Sequence, residues 1–129
     1  MSLLSVRLGT DDLPRARAFY DATFAALGVT SAPLPVEYGM AMYPQTNGTA
    51  FMVGAAANGQ PATHANGGTV LFTADSNDAI AAWHAAGIAH GGTCEGAPGE
   101  RPMVPGAYAA YLRDPDGNKL GVWRGLAFG

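Results

Sequence analysis

The chain has 129 residues, a formal net charge of −3 and a hydrophobic fraction of 48%. This length and apolar content predict one folded domain with a buried core and argue against a disordered chain. The seven Lys and Arg residues are scattered, so a nucleic-acid partner is not expected. The apolar stretches are short and broken, so a membrane partner is not expected either.

The single cysteine, Cys94, excludes an internal disulfide framework and fits a reducing compartment. We therefore expect a cytoplasmic protein. A catalytic role for this thiol is disfavoured, because the neighbouring carboxylate of Glu95 opposes formation of the thiolate.

The two halves of the chain repeat one pattern at an offset of 64 residues. Residues 5–11 (SVRLGTD) then align with residues 69–75 (TVLFTAD), and Gly28 aligns with Gly92. In both halves an extended apolar run is followed by an acidic turn, a helix with an aromatic residue, and a glycine. This order indicates a duplicated structural module.

Each half predicts one strand, one helix and three further strands. The opening runs are rich in Val, Leu, Phe and Thr, which is typical of strands. Asp11 and Asp12, and later residues 75–77, are typical helix N-caps, and Pro14 suits the first turn of the first helix. The further strands are predicted at about 34–37, 40–43 and 49–53, and at about 93–97, 107–113 and 120–123.

The predicted fold class is α+β, with two βαβββ modules forming a cup-shaped mixed sheet and the helices outside. The whole chain, 1–129, is expected to be a single domain. Module one covers about 2–55, a polar and glycine-rich linker about 56–66, and module two about 67–126.

Two short motifs carry a family resemblance. Residues 12–20 (DLPRARAFY) look like the signature DL-x-R-x-x-x-FY, and residues 113–120 (RDPDGNKL) are similar to a characteristic hairpin, with residues 83–87 (WHAAG) at the equivalent helix of the second half. With the two modules, they resemble the vicinal-oxygen-chelate superfamily, which includes glyoxalase I, bleomycin-resistance proteins and extradiol dioxygenases. The resemblance implies a ligand cup and pairing into homodimers. It leaves the activity open, because this fold serves lyases, isomerases, dioxygenases and binding proteins.

Enzymes of this superfamily hold a divalent metal ion on the first and closing strands of their modules. The matched positions here are Ser5, Thr69 and Gly121. Hydroxyl groups are poor ligands for first-row metals and glycine offers no side-chain ligand, so no bound metal or other cofactor is expected at these positions. A divalent metal held by displaced ligands, such as His64 or Glu37, is the alternative.

Apart from that alternative, none of the three histidines is predicted to take part in a catalytic or metal site. His84 and His90 lie on or just after the second predicted helix, outside the sheet, and His64 lies in the linker. Each is interpreted as a solvated or capping residue.

Strand alternation predicts which side chains line the cup, because every second residue of a strand points to the same face. The predicted ligand-binding residues on the three relevant strands are Arg7, Ser5, Thr69, Thr73, Lys119 and Trp123. Arg7 could hold a carboxylate or phosphate, or form an ion pair with Glu37. Trp123 could stack on a planar ligand, or lie in the core or at a dimer interface.

A loop at residues 95–107, rich in proline and glycine, is long enough to cover the cup. Arg101 and Tyr108 flank this loop, which makes both of them candidate ligand contacts. An ordinary connecting loop would have the same composition.

Three functions follow from these residues. The leading hypothesis is a metal-free binder of a small organic molecule, anionic or aromatic, held in the cup. The alternative is a metal-dependent lyase, isomerase or dioxygenase with displaced ligands. The third is a dimeric structural domain without a ligand, which edge strands beside exposed apolar residues, such as Met40, Met42 and Tyr43, would favour.

Overall fold

The computed structural model describes residues 2–127 apart from the side chain of Val36. The first module contains four main elements: β1 (Ser5–Gly9), α1 (Leu13–Ala26), β2 (Met40–Pro44) and β3 (Ala50–Gly54). The second contains five: β4 (Thr69–Thr73), α2 (Asn77–Ala89), β5 (Thr93–Glu100), β6 (Tyr108–Arg113) and β7 (Lys119–Arg124). Over residues 2–127, neither helix has the length and hydropathy of a segment that crosses a membrane.

The strands form two open mixed sheets, in which corresponding strands run in the same relative directions. The strand order is β1-β3-β2 in the first sheet and β4-β7-β6-β5 in the second. In each sheet the first strand of the module runs parallel to its last strand, and the other neighbours are antiparallel. The predicted α+β class and the two repeated modules are confirmed.

One predicted strand is absent as such. In place of a strand at about 34–37, the chain forms a short 3₁₀ helix, Val36–Tyr38, and an isolated bridge between Ala32 and Met42. Pro33 and Pro35 explain the difference, because a proline has no N–H to donate to a neighbouring strand.

Both helices begin at the polar residues that the sequence indicates. The Asp12 side chain accepts a hydrogen bond from the Arg15 amide at 3.0 Å, and the Ser76 side chain accepts one from Ala79 at 3.1 Å. Pro14 lies in the first turn of α1, where its missing N–H leaves no bond unmade.

One hydrophobic core joins the two modules. The helices contact each other, and one face of each sheet packs against them. Phe72 of the second module lies edge-on against Phe24 and Phe51 of the first, with ring centroids 5.2 and 5.5 Å apart. Gly87 of α2 leaves space that Leu112 of β6 fills and that Phe19 of α1 also approaches. The opposite face of each sheet remains uncovered by helices.

A buried carboxylate ties the first helix to the β6–β7 turn. The Tyr20 hydroxyl donates to Asp114 Oδ2 at 2.5 Å, and Asp114 also accepts hydrogen bonds from the amides of Asp116 and Asn118. The Asn118 side chain donates to Asp114 Oδ2 at 2.9 Å and to the Gly9 carbonyl at 3.2 Å. This network fixes the start of β7 against both β1 and α1.

Candidate functional site

The uncovered face of the second sheet gathers aromatic and cationic side chains. Along β7, Leu120 and Val122 belong to the core, so Lys119, Gly121 and Trp123 lie on the opposite face. Tyr111 of β6 is paired with Gly121 in the antiparallel register and therefore lies on the same face.

Tyr111 is the centre of this cluster. The Trp123 indole N–H donates a hydrogen bond to the Tyr111 hydroxyl oxygen at 2.8 Å. Lys119 Nζ lies 5.4 Å and Arg101 Cζ 5.8 Å from the centroid of the Tyr111 ring. Both distances are within the range of a cation–π interaction. We call Tyr111, Trp123, Lys119 and Arg101 the aromatic–cation cluster.

The end of β5 holds Arg101, the first residue of the β5–β6 loop, in place. Its guanidinium donates to the carbonyls of Ala97 and Gly99 at 3.1 and 3.3 Å. At Gly96 on β5, a Cβ would lie only 3.3 Å from both the Arg101 guanidinium and the Tyr111 ring. The absence of a side chain at Gly96 therefore lets Arg101 approach the ring.

The nearest ion pair on this face leaves Lys119 free. Arg113 Nε donates to Glu95 Oε1 at 2.5 Å, and this hydrogen bond lowers the pKa of the Glu95 carboxyl. Within residues 2–127, no carboxylate lies within ion-pair distance of Lys119. The charge of Lys119 also contributes to the lowered pKa of Glu95, so this carboxylate offsets the positive charge of the cluster only in part.

The predicted residues of the first module lie on a different surface. Arg7 donates through Nη2 to the Ala55 carbonyl at 2.5 Å, and not to Glu37. It lines a cavity of about 340 Å³ whose other wall is the segment 55–63 between the modules. Ser5 is half-buried at the start of β1, paired with Ala50.

Thr69 and Thr73 lie together on the exposed side of β4. With Leu71 between them they line a cavity of about 390 Å³ that reaches the β2–β3 turn of the first module. Leu71 is 45% exposed on this side of the strand.

The structure thus groups some predicted residues and separates others. Lys119, Trp123 and Arg101 meet at Tyr111, whereas Arg7 lines a separate cavity beside the linker. Tyr108 packs against the hydrophobic core on the helix side of the sheet, one residue out of phase with Ala109 and Tyr111.

The place of the superfamily's metal ion does not suit a metal here. At Gly121, a Cβ would lie 2.7 Å from both Leu71 Cδ2 and Tyr111 Cε1, so the ring and the leucine already cover this position. Ser5 and Thr69 offer only neutral hydroxyls. Within residues 2–127, no group of three or more His, Cys, Asp or Glu side chains is placed to hold a metal ion.

The histidines lie away from the aromatic–cation cluster. His84 Nε2 is 3.2 Å from Cys94 Sγ, and partial burial lowers the pKa of this imidazole. His90 Nδ1 lies 2.8 Å from the Ala86 carbonyl at the end of α2. His64 lies against Gly117 in the β6–β7 turn.

Comparison with known proteins places the chain in a family. A model of the Glyoxalase/Bleomycin resistance protein/Dioxygenase superfamily matches residues 2–122. A glyoxalase/bleomycin resistance protein from Albidiferax ferrireducens T118 is 42% identical, with a TM-score of 0.81, and the match covers 92% of this chain and 94% of that one. The chain therefore belongs to the Glyoxalase/Bleomycin resistance protein/Dioxygenase superfamily, and the resemblance seen in the sequence is confirmed.

Two further structures share the fold. Lactoylglutathione lyase from Agrobacterium tumefaciens is 25% identical, with a TM-score of 0.64, over 96% of this chain and 93% of that one. A glyoxalase-related enzyme from Fulvimarina pelagi is 21% identical, with a TM-score of 0.74, over 95% and 87%. None of the curated proteins matches the chain.

Sequence reasoning missed the residue at the centre of the cluster. Tyr111 was not among the predicted ligand contacts, although the turn at residues 114–118 pairs it with Gly121. The turn itself could have revealed Tyr111, because the length of a hairpin turn determines which residues of the two strands pair and which face they share.

Proposed function

We propose that this protein binds a small organic molecule at the aromatic–cation cluster, without a metal ion. The observation that supports this function is the meeting of Tyr111, Trp123, Lys119 and Arg101 on a sheet face that no helix covers. Aromatic side chains together with a few placed polar or charged groups are typical of sites that bind small organic molecules.

Each neighbouring side chain suits one part of such a ligand. Lys119 and Arg101 supply positive charge, and Trp123 and Leu71 supply apolar surface. No residue of the aromatic–cation cluster lines the cavity of about 390 Å³ beside Leu71, which therefore only adjoins the proposed site through β4, although its volume is within the range of pockets that hold small organic molecules. The hydroxyls of Thr69 and Thr73 line this cavity and offer neutral hydrogen-bonding groups.

A second copy of the chain would complete the site. The open face of the first sheet carries Arg7, Met42 and Met52, and it is separate from the open face of the second sheet. Pairing of two copies would bring one face of each kind together and would also cover the exposed Leu71. In the proposed homodimer, Arg7 and Ser5 of one copy contact the ligand held by the cluster of the other.

Thermal unfolding with a panel of small anionic and aromatic compounds tests this function. A ligand at about 100 times its Kd adds about 2.7 kcal/mol of stability. With an unfolding entropy of about 2.1 cal/mol/K per residue, this raises Tm by about 10 °C. The panel is then repeated on Leu71→Glu, which places a carboxylate beside the cluster, and the response should be lost.

Ile88→Glu provides the matched control. Ile88 is 46% exposed on α2, against 45% for Leu71, and lies outside the open face. This variant should respond to ligands as the unchanged protein does. A panel without any stabilising compound, or an equal response from the two variants, would contradict the proposed function. Analytical ultracentrifugation tests the homodimer, and a monomer at micromolar concentration would contradict it.

A further inference from the structure

We infer that the Tyr111 hydroxyl and the Lys119 ammonium receive the carboxylate of an organic acid, in the place where related enzymes hold a metal ion. This inference rests on the proposed function and names the chemical class of the ligand: a carboxylate with an aromatic or otherwise apolar body. The position that carries a metal ligand in related enzymes is Gly121 here, and Tyr111 and Leu71 fill the space beside it.

The disagreement at Gly121 is steric as well as chemical. The Tyr111 ring and Leu71 occupy the space above the Gly121 backbone, where any side chain would begin. Tyr111 therefore substitutes a phenol for a ligand-bearing side chain at this point of the sheet. A phenol contributes a hydrogen-bond donor, which attracts the same oxygen atoms of a ligand that a metal ion would attract.

The hydrogen bonds of Tyr111 leave its proton available. Its oxygen accepts the Trp123 indole N–H at 2.8 Å, and an indole can only donate. Among residues 2–127, no acceptor takes the Tyr111 O–H. A hydroxyl that already accepts one bond becomes a better donor for the next, because hydrogen bonds in a chain polarise one another.

The charge around this donor favours an anion. Lys119 Nζ lies over the ring of Tyr111, as does the Arg101 guanidinium. Glu95, the carboxylate that pairs on this face, is already bonded to Arg113. A carboxylate ligand would therefore meet the Tyr111 donor and a positive charge that Glu95 offsets only in part.

The shape of the surroundings decides between an inorganic anion and an organic acid. Leu71 lies against the covered Gly121 position, and the Trp123 ring lies 6.4 Å from that of Tyr111, at a right angle. A bare phosphate would leave these apolar surfaces exposed to water. An arylcarboxylate would cover them while its carboxylate meets the donors.

The test compares benzoate with benzamide, which has the same shape without the charge. Isothermal titration calorimetry on the full chain, in the presence of EDTA, should show benzoate binding about 10-fold more tightly than benzamide. Tyr111→Phe keeps the ring and removes the donor, and Lys119→Met removes the charge. Each should weaken benzoate binding by about 5- to 10-fold. Lys119→Met should leave benzamide binding unchanged, whereas Tyr111→Phe should weaken benzamide less than benzoate, because the amide carbonyl also accepts a hydrogen bond but carries no charge.

Arg124→Met is the control for the loss of a cation. Arg124 lies on the same strand as Lys119 but hydrogen-bonds Asn77 at 2.7 Å, on the helix side of the sheet. Its removal should leave both affinities unchanged. Thermal unfolding of each variant shows whether the fold is retained, and Lys119→Met tests the inference even where Tyr111→Phe is unstable.

The outcomes separate this inference from the function on which it rests. Equal binding of benzoate and benzamide, or variants that bind benzoate normally, would overturn the carboxylate site and leave a small-molecule binder. Binding of benzoate that EDTA abolishes would overturn it as well, since a metal ion would then receive the carboxylate. Absence of binding by either compound, together with an unresponsive thermal panel, would overturn both.

Discussion

Replacing Tyr20 with phenylalanine should destabilise the fold by about 2 kcal/mol, because it removes one donor from a buried carboxylate. Asp114 is 3% exposed and accepts four hydrogen bonds, one from Tyr20 and three from Asp116 and Asn118. The substitution keeps the aromatic ring in the core and deletes only the hydroxyl. Hydrogen bonds to a charged group contribute about 1.5–3 kcal/mol each.

The expected change in melting temperature follows from the size of the chain. At about 2.1 cal/mol/K per residue, the whole chain unfolds with an entropy of about 0.27 kcal/mol/K. A loss of about 2 kcal/mol therefore lowers Tm by about 7 °C. Differential scanning calorimetry measures this shift, and urea unfolding measures the free energy independently.

Tyr43→Phe is the matched control. Tyr43 is also fully buried, and its hydroxyl donates to Asp21 at 2.6 Å, but Asp21 is exposed. Water can replace the lost donor there, so we expect a loss of about 0.5–1 kcal/mol. If Tyr20→Phe lowers the free energy of unfolding by no more than Tyr43→Phe does, the burial of Asp114 does not strengthen its hydrogen bond to Tyr20, and the reasoning is refuted.

Two other predictions concern the core and the open face. Burial raises the pKa of both Tyr20 and Tyr43. Their contribution to the free energy of unfolding should therefore be fully present below the ordinary tyrosine pKa near 10 and be lost as the pH rises above it. Urea unfolding at pH 8 to 11 measures this change, and a free energy of unfolding that stays constant over this range would contradict the expectation. Gly121→Ala should cost about 1–3 kcal/mol in urea unfolding, because its Cβ meets Leu71 and Tyr111. The cost should be smaller when Tyr111 is also replaced by alanine, and an equal cost in both backgrounds would show that the ring does not cover Gly121.

The sequence predicted the elements well where the signal was local. The runs at 69–73 and 120–123 alternate or carry β-branched residues, and glycine-rich turns bound them, so their strands begin and end within a residue or two of the prediction. The run at 34–37 has strand-like residues as well. Pro33 before this run and Pro35 within it lack the backbone N–H groups that a strand donates, and this loss outweighs the preference of the other side chains for a strand.

The site was less predictable because it depends on contacts between distant residues. Alternation alone places Lys119 and Trp123 on one face, and the structure agrees. The importance of Tyr111 arises only from its register opposite Gly121 and from the approach of Arg101 out of the β5–β6 loop. Arg7 lines a different cavity from Lys119, and this placement depends on how the two modules pack, which no local pattern encodes.

In the proposed binding site, the buried turn bears on ligand affinity as well as on stability. Asn118, held by Asp114 and the Gly9 carbonyl, is followed directly by Lys119, the first residue of β7. The anchor that keeps this turn rigid therefore also sets the point from which the lysine side chain reaches Tyr111. A lysine on a rigid base loses less freedom when it meets an anion, and this lowers the entropic cost of binding. A change at Tyr20 would thus reach the proposed site through Asp114 and Asn118, so a substitution in the core would alter the placement of Lys119.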